Sequence, residues 1–131
     1  MAGLTKAPVN TAILAITVAV FAVGLVNQQA REWLFDNLSS WNFALASGEW
    51  WRLISSALVH SYSLIIHIGF NMYFLYMLGP ALERQVGSAP FASLYVATAA
   101  TGGLAGYYLG WGPLDASIGA SGAIFGIVAV W

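Results

Sequence analysis

From position 8 to position 26 the chain reads PVNTAILAITVAVFAVGLV, without a single charge. As a helix this stretch rises about 28 Å at about 1.5 Å per residue, close to the roughly 30 Å of hydrocarbon in a bilayer. The rest of the chain has no soluble surface with which to cover it. Of 131 residues, 60% are hydrophobic and 7% charged, against about 25% charged in a soluble domain. Lipid is the natural solvent, and in lipid a helix satisfies its own backbone polar groups. The expected fold class is therefore all-α, a polytopic transmembrane helix bundle. Lys6 before the apolar run is reminiscent of a secretory signal, but the following NQQAREW offers no small-residue cleavage site, so a retained first helix is expected.

Three more apolar stretches follow. Residues 64 to 82, LIIHIGFNMYFLYMLGPAL, form the expected second span, ended by Gly79-Pro80 and the polar cluster Glu83-Arg84-Gln85. Residues 90 to 109 form the third after a short Gly87-Ser88 turn, and Gly102, Gly106 and Gly110 recur at every fourth residue, a spacing suited to close helix packing. A fourth apolar helix opens at Ser121, but residues 121 to 131 supply only about 16 Å of helix, roughly half a span. The expectation is an N-terminal part of one larger membrane domain, with three complete spans (about 8–26, 64–82 and 90–109) and a partial fourth at 121–131.

Residues 27 to 63 hold five of the nine charged side chains (Arg31, Glu32, Asp36, Glu49, Arg52) together with Trp33, Trp41, Trp50 and Trp51. Indoles favour the headgroup level, so this segment reads as a long interfacial loop with short amphipathic helices lying on membrane lipid. The four basic residues are scattered, which excludes a nucleic-acid-binding patch. Cysteine is absent, which excludes disulfides and thiol nucleophiles. Positive charges divide evenly between the two sides, Lys6 and Arg84 against Arg31 and Arg52, and do not choose an orientation. Parity is firmer: the loops before the second and fourth spans share one membrane face.

That parity places three polar groups at similar depth. His67 and Asn71 lie one turn apart on one face of the second span. Polar side chains within a span mark either a functional site or an interhelical hydrogen bond. Ser121 lies near the start of the fourth helix, where taken singly it reads first as a helix N-cap or as part of a small-residue contact with Gly122 and Gly126, and only about one time in ten as a nucleophile. His60 and His67 lack a third ligand nearby, so neither metal nor cofactor is expected.

Trp51-Arg52 in the first loop, HIGFNMYFLYMLGPALERQVG through the second span and GASGAIFG opening the fourth together resemble the rhomboid intramembrane serine proteases, from about Trp50 to Trp131. The resemblance implies the rhomboid type of bundle. It also implies a serine endopeptidase that cleaves transmembrane segments of membrane proteins through a Ser-His dyad. Ser121 would be the nucleophile; His67 and Asn71 would stabilise the oxyanion, assisted by the N–H groups of Ser121 and Ala120. Trp51-Arg52 and Glu83-Arg84 would be structural, and so would His60, seven residues before His67 where the family spacing is five. The base histidine belongs to a sixth span and would lie beyond this chain, leaving residues 1 to 131 inactive alone. A multi-pass protein of a bacterial inner membrane is expected, with a cytoplasmic N-terminus and the site toward the exterior. Two rivals remain: a rhomboid-like pseudoprotease that binds membrane clients without cutting them, and a complete four-helix subunit.

Overall fold

The computed structural model describes residues 6–109 and 116–131. Four main helices carry the architecture: α1 (Pro8–Val26), α5 (Ile65–Val86), α6 (Ser88–Tyr108) and α7 (Ser121–Val130). Between the first two lie α2 (Gln28–Leu38), β1 (Ser40–Trp41), α3 (Asn42–Ala46), α4 (Arg52–Ser55) and a 3-10 turn at Ser56–Leu58. The helical class stands. Its one departure is an antiparallel two-residue ladder, in which β1 pairs with β2 (Ala116–Ser117), Ser40 opposite Ser117 and Trp41 opposite Ala116. Gly110 and most of the loop before Ser121 lie outside the described residues.

α1 is packed inside out by the standard of a soluble protein. Its buried residues are Asn10, Thr17 and Gly24, spaced seven apart on one stripe, while Ile16, Val18, Val23 and Leu25 face outward. Water would penalise so much exposed apolar surface, whereas lipid removes that penalty and leaves small and polar residues to make the helix contacts. Among the described residues, α1 and α5 are the helices both long and apolar enough to cross a membrane. α6, at 21 residues, has the length with a more mixed composition.

Gly79-Pro80 does not end the second long helix. α5 continues to Val86 with Pro80 inside it. A proline removes one backbone donor and crowds the preceding turn, and neighbouring helices in a membrane bundle can compensate for this. Here α1 lies against that turn, with the Asn10 side chain occupying the space where a Cβ on Gly79 would sit. The stop comes at Gly87, whose φ of +95° suits glycine alone, and α6 begins at the next residue.

Glu83 fastens this end of the bundle. Its side chain is buried, and its carboxylate accepts the Val9 N–H (3.0 Å), the Asn10 N–H (2.8 Å) and the Ser88 hydroxyl (2.6 Å). An acidic group at the N-terminus of α1 satisfies donors that no helical carbonyl can reach and complements the helix dipole. The expected structural role of Glu83 is met by this clamp across three helices.

α6 and α7 make the closest helix contact. A Cβ on Gly122 would lie 3.3 Å from the Thr98 carbonyl oxygen and 3.5 Å from the Gly102 Cα, and Gly126 faces the Thr98 side chain. The glycine spacing in α6 therefore serves two neighbours: Gly102 meets α7, while Gly103 faces Leu53 of α4. Around this seam, Phe91, Tyr95, Leu75, Leu82, Ala123, Ile124 and Ile127 form the buried core.

The first loop is held by Arg52, which is buried as its expected structural role requires. Its Nη1 donates to the carbonyls of Asp36 (2.7 Å) and Ser39 (2.9 Å), and its Nη2 to Glu49 Oε1 (3.2 Å). Replacing Glu83 with Gln keeps the shape and turns one acceptor into a donor facing donors. Glu83→Gln should lower stability by about 1–3 kcal/mol, read as an earlier thermal transition in detergent micelles.

Candidate active site

Of the three side chains expected to act together, two lie where helix geometry demands. His67 is in the first turn of α5, and Asn71 follows one turn later on the same face. Ser121 is the first residue of α7, and Ala120 takes the N-cap position with no side-chain hydrogen bond. The reading of Ser121 as a capping residue is thereby corrected. It is also not the closest contact of α7 with α6, which falls to Gly122 and Gly126. Ser121 instead lines two cavities, one on either flank.

The first cavity, about 320 Å³, is apolar and opens between α5 and α7, where Phe70, Asn71, Phe74, Ile124, Phe125 and Val128 join Ser121. The second, about 390 Å³, is walled by small residues including Ser56, Ala57, Gly102, Gly103 and Gly119. Asn71 and Ser121 thus share a wall of one cavity. A larger open hollow of about 660 Å³, between α2 and residues 61–63, includes Arg31, Glu32 and Asp36 and none of the three expected groups.

The chain reaches Ser121 through a backbone that only glycine permits. Gly119 has φ +96°, and a Cβ there would lie 2.6 Å from His67 Cε1, 2.8 Å from His67 Nε2 and 3.6 Å from Asn71 Nδ2. Both the dihedral and the contact exclude a side chain. The backbone two residues before the serine is therefore pressed against the imidazole and amide of α5, which sets His67, Asn71 and Ser121 at one level.

Two long-range hydrogen bonds hold that approach. The Gly119 N–H donates to the Ser56 carbonyl (2.9 Å), and the Ala120 N–H donates to Nε2 of His60 (3.1 Å). The second bond engages the Ala120 N–H, one of the amides expected to assist at the site, with an imidazole. His60 is 1% exposed. Burial first, and the facing His67 ring second, push its imidazole down to about 4, with the Leu58 backbone acting the other way. It is neutral at pH 7, as an accepting Nε2 requires. The His60 and His67 ring centroids are 5.1 Å apart, and among the described residues no third metal-ligating side chain joins them.

Asn71 Nδ2 is buried and makes no hydrogen bond among the described residues. Buried donors are rarely left unpaired, and such a group in a cavity wall has capacity for a ligand oxygen. At the N-terminus of α7, the N–H groups of the first turn also lack helical acceptors, the first helical bond being Ile124 N–H to the Ala120 carbonyl. Donors from two helices therefore converge beside one hydroxyl. Sequence reasoning missed the His60 and Ser56 contacts, whose partners lie about 60 residues away.

Comparison with known proteins bears on the same residues. The Rhomboid domain model matches residues 47–131. The chain is 35% identical over 125 residues to the rhomboid-family protein YdcA of Bacillus subtilis, covering 95% of this chain and 61% of that one. It is 42% identical over 85 residues to Rhomboid protease GluP of the same organism (65% of this chain, 16% of GluP). It is 38% identical over 81 residues to Rhomboid protease GlpG of Haemophilus influenzae (61% of this chain, 39% of GlpG). This chain thus spans about three-fifths of YdcA and less of the other two. No solved structure matches it. With the domain model covering well over half of its length, and the matched region containing α5, α6 and α7, this chain is an integral membrane protein that belongs to the rhomboid family.

Proposed function

We propose that this chain carries the nucleophile and the oxyanion donors of an intramembrane serine endopeptidase that cuts transmembrane segments of membrane proteins. The observation that carries the reading is the convergence of Ser121, His67 and Asn71 around Gly119 at one level of the bundle. Membership of a family whose matched relatives include proteins named as proteases supports it.

In this reading a base takes the Ser121 hydroxyl proton as Oγ attacks the scissile carbonyl carbon, and the carbonyl oxygen gains the negative charge. The Ser121 N–H, the Asn71 amide and a ring N–H of His67 stabilise that charge. Collapse expels the amine, which takes the proton back from the base, and leaves an acyl-serine. Water, activated by the same base, then hydrolyses the ester. The base is a histidine from outside residues 1 to 131. His60 does not suit that role, since Nε2 already accepts the Ala120 N–H and burial opposes its protonation. These residues alone are accordingly proposed to be inactive.

The small-residue cavity beside Ser121 suits the polar end of the site and the Phe-rich one suits an apolar substrate segment. We place the N-terminus in the cytoplasm and the site toward the exterior of a bacterial inner membrane.

In the full-length protein, Ser121→Ala should abolish cleavage of a membrane-spanning substrate in proteoliposomes; cleavage equal to wild type would end the assignment. His67→Ala and Asn71→Ala should each lower kcat by about a hundredfold or more with a small change in KM, the signature of donors that act in the transition state. A raised KM with unchanged kcat would instead make them ground-state contacts.

A further inference from the structure

Three successive amides lead into α7, and the first two turn away from the site. Gly119 N–H goes to the Ser56 carbonyl and Ala120 N–H to the His60 imidazole, both on the segment that precedes α5. The third, Ser121 N–H, opens the helix. Ala120, at φ −83° and ψ 1°, makes the bend between the two directions.

We infer that His60 is a positioning residue: by accepting the Ala120 N–H it fixes the Gly119-Ala120-Ser121 backbone so that the oxyanion falls to the Ser121 N–H, His67 and Asn71, with Ala120 excluded. The catalytic half of this inference rests on Ser121 being the nucleophile; the anchoring half does not.

The geometry supports both halves. His60 is enclosed, so its bond to Ala120 has no competition from solvent, and without it a buried N–H would have no partner. His60 also faces His67 across 5.1 Å, so the segment that holds the serine loop lies directly behind a proposed oxyanion donor. A shift of the Ala120 peptide would carry Gly119 with it, and the space beside Gly119 is so close to His67 and Asn71 that even a Cβ would not fit against the imidazole. Small displacements of catalytic groups have large effects on rate. Only an acceptor is needed at this point, so a Gln carbonyl oxygen can substitute for Nε2, whereas Leu fills the volume and accepts nothing.

The test uses the full-length protein in micelles with His60→Gln and His60→Leu. Amide hydrogen exchange at Ala120 reads the anchor directly, without any need for activity. Steady-state cleavage of a membrane-spanning substrate reads the positioning. His60→Leu should speed Ala120 exchange by about tenfold or more and lower kcat by a comparable factor, with KM within about twofold; His60→Gln should return both toward wild type. Unchanged Ala120 exchange in His60→Leu would overturn the anchor. Faster exchange with undiminished kcat would overturn the positioning role, and equal losses in both variants would show that the acceptor is not the operative feature. Where His60→Leu fails to fold, His60→Gln decides alone: Ala120 protection and kcat that are kept together or lost together uphold the inference, whereas a freely exchanging amide with undiminished kcat, or a protected amide with low kcat, overturns it. If Ser121→Ala cleaves like wild type, the function falls, while the exchange result still rules on the anchor.

Discussion

A serine at the first position of a short helix has no side chain tying it to the helix before it, so its position depends on what the preceding backbone touches. Here Gly119 presses against the His67 ring, and its N–H is held by a carbonyl from the 3-10 turn that precedes α5. Ala120 adds a second tie to His60. Three contacts on two residues thus lock the start of α7 to the start of α5. The level of Ser121 relative to Asn71, and hence the cavity between them, follows from this junction. Any Cβ at position 119 would displace it, because the contact distances leave no room and the dihedral suits glycine alone.

The opposite end of α5 is secured by a different kind of chemistry. Glu83 gathers the Val9 and Asn10 amides of α1 and the Ser88 hydroxyl around one carboxylate, three hydrogen bonds in place of water. Sixteen residues, about 24 Å of helix, separate Glu83 from His67. α5 is therefore fastened by charge-assisted bonds at one end and by a loop junction at the other. Between them it contacts α1, α6 and α7 through Leu75, Gly79 and Leu82, which are buried, while Tyr73, Phe74 and Met77 face outward. Fastening at the loop junction holds Asn71, one turn farther along the helix, in the cavity wall beside Ser121.

Helix identities were legible in the sequence because apolar length is a local property: residues 8 to 26 match α1 at both ends, and the third span is α6 shifted by one or two residues. The site was legible only as a set of residue types with matching depth. Helical periodicity joins His67 to Asn71, and parity brings Ser121 near them, but neither can say which backbone amides remain available. That depends on Ser56 and His60, about 60 residues upstream of the groups they hold, and such contacts leave no periodic trace. Pro80 misled for a related reason. It is a helix breaker in isolation, and the neighbouring α1 that accommodates the turn is distant in sequence. The ladder between Ser40–Trp41 and Ala116–Ser117 is too short to impose an alternating pattern on either segment.

A hydrolytic site within a bilayer faces opposing demands. Its donors must be free to receive charge, yet an unpaired donor in a dry interior is costly. The structure separates the two demands along the chain. Amides that serve the scaffold, those of Val9, Asn10, Gly119 and Ala120, are paired with carboxylate, carbonyl or imidazole acceptors. The unpaired Asn71 Nδ2 sits in a cavity wall beside the serine, and the N-terminus of α7 adds donors that no helical carbonyl can take. Among the described residues, other buried side chains, such as Asn10, Thr17 and Tyr95, also carry unpaired polar atoms, but Asn71 is the one that shares a cavity wall with the serine. Keeping Asn71 open beside the serine therefore relies on the paired amides of Gly119 and Ala120, which hold the facing backbone in place.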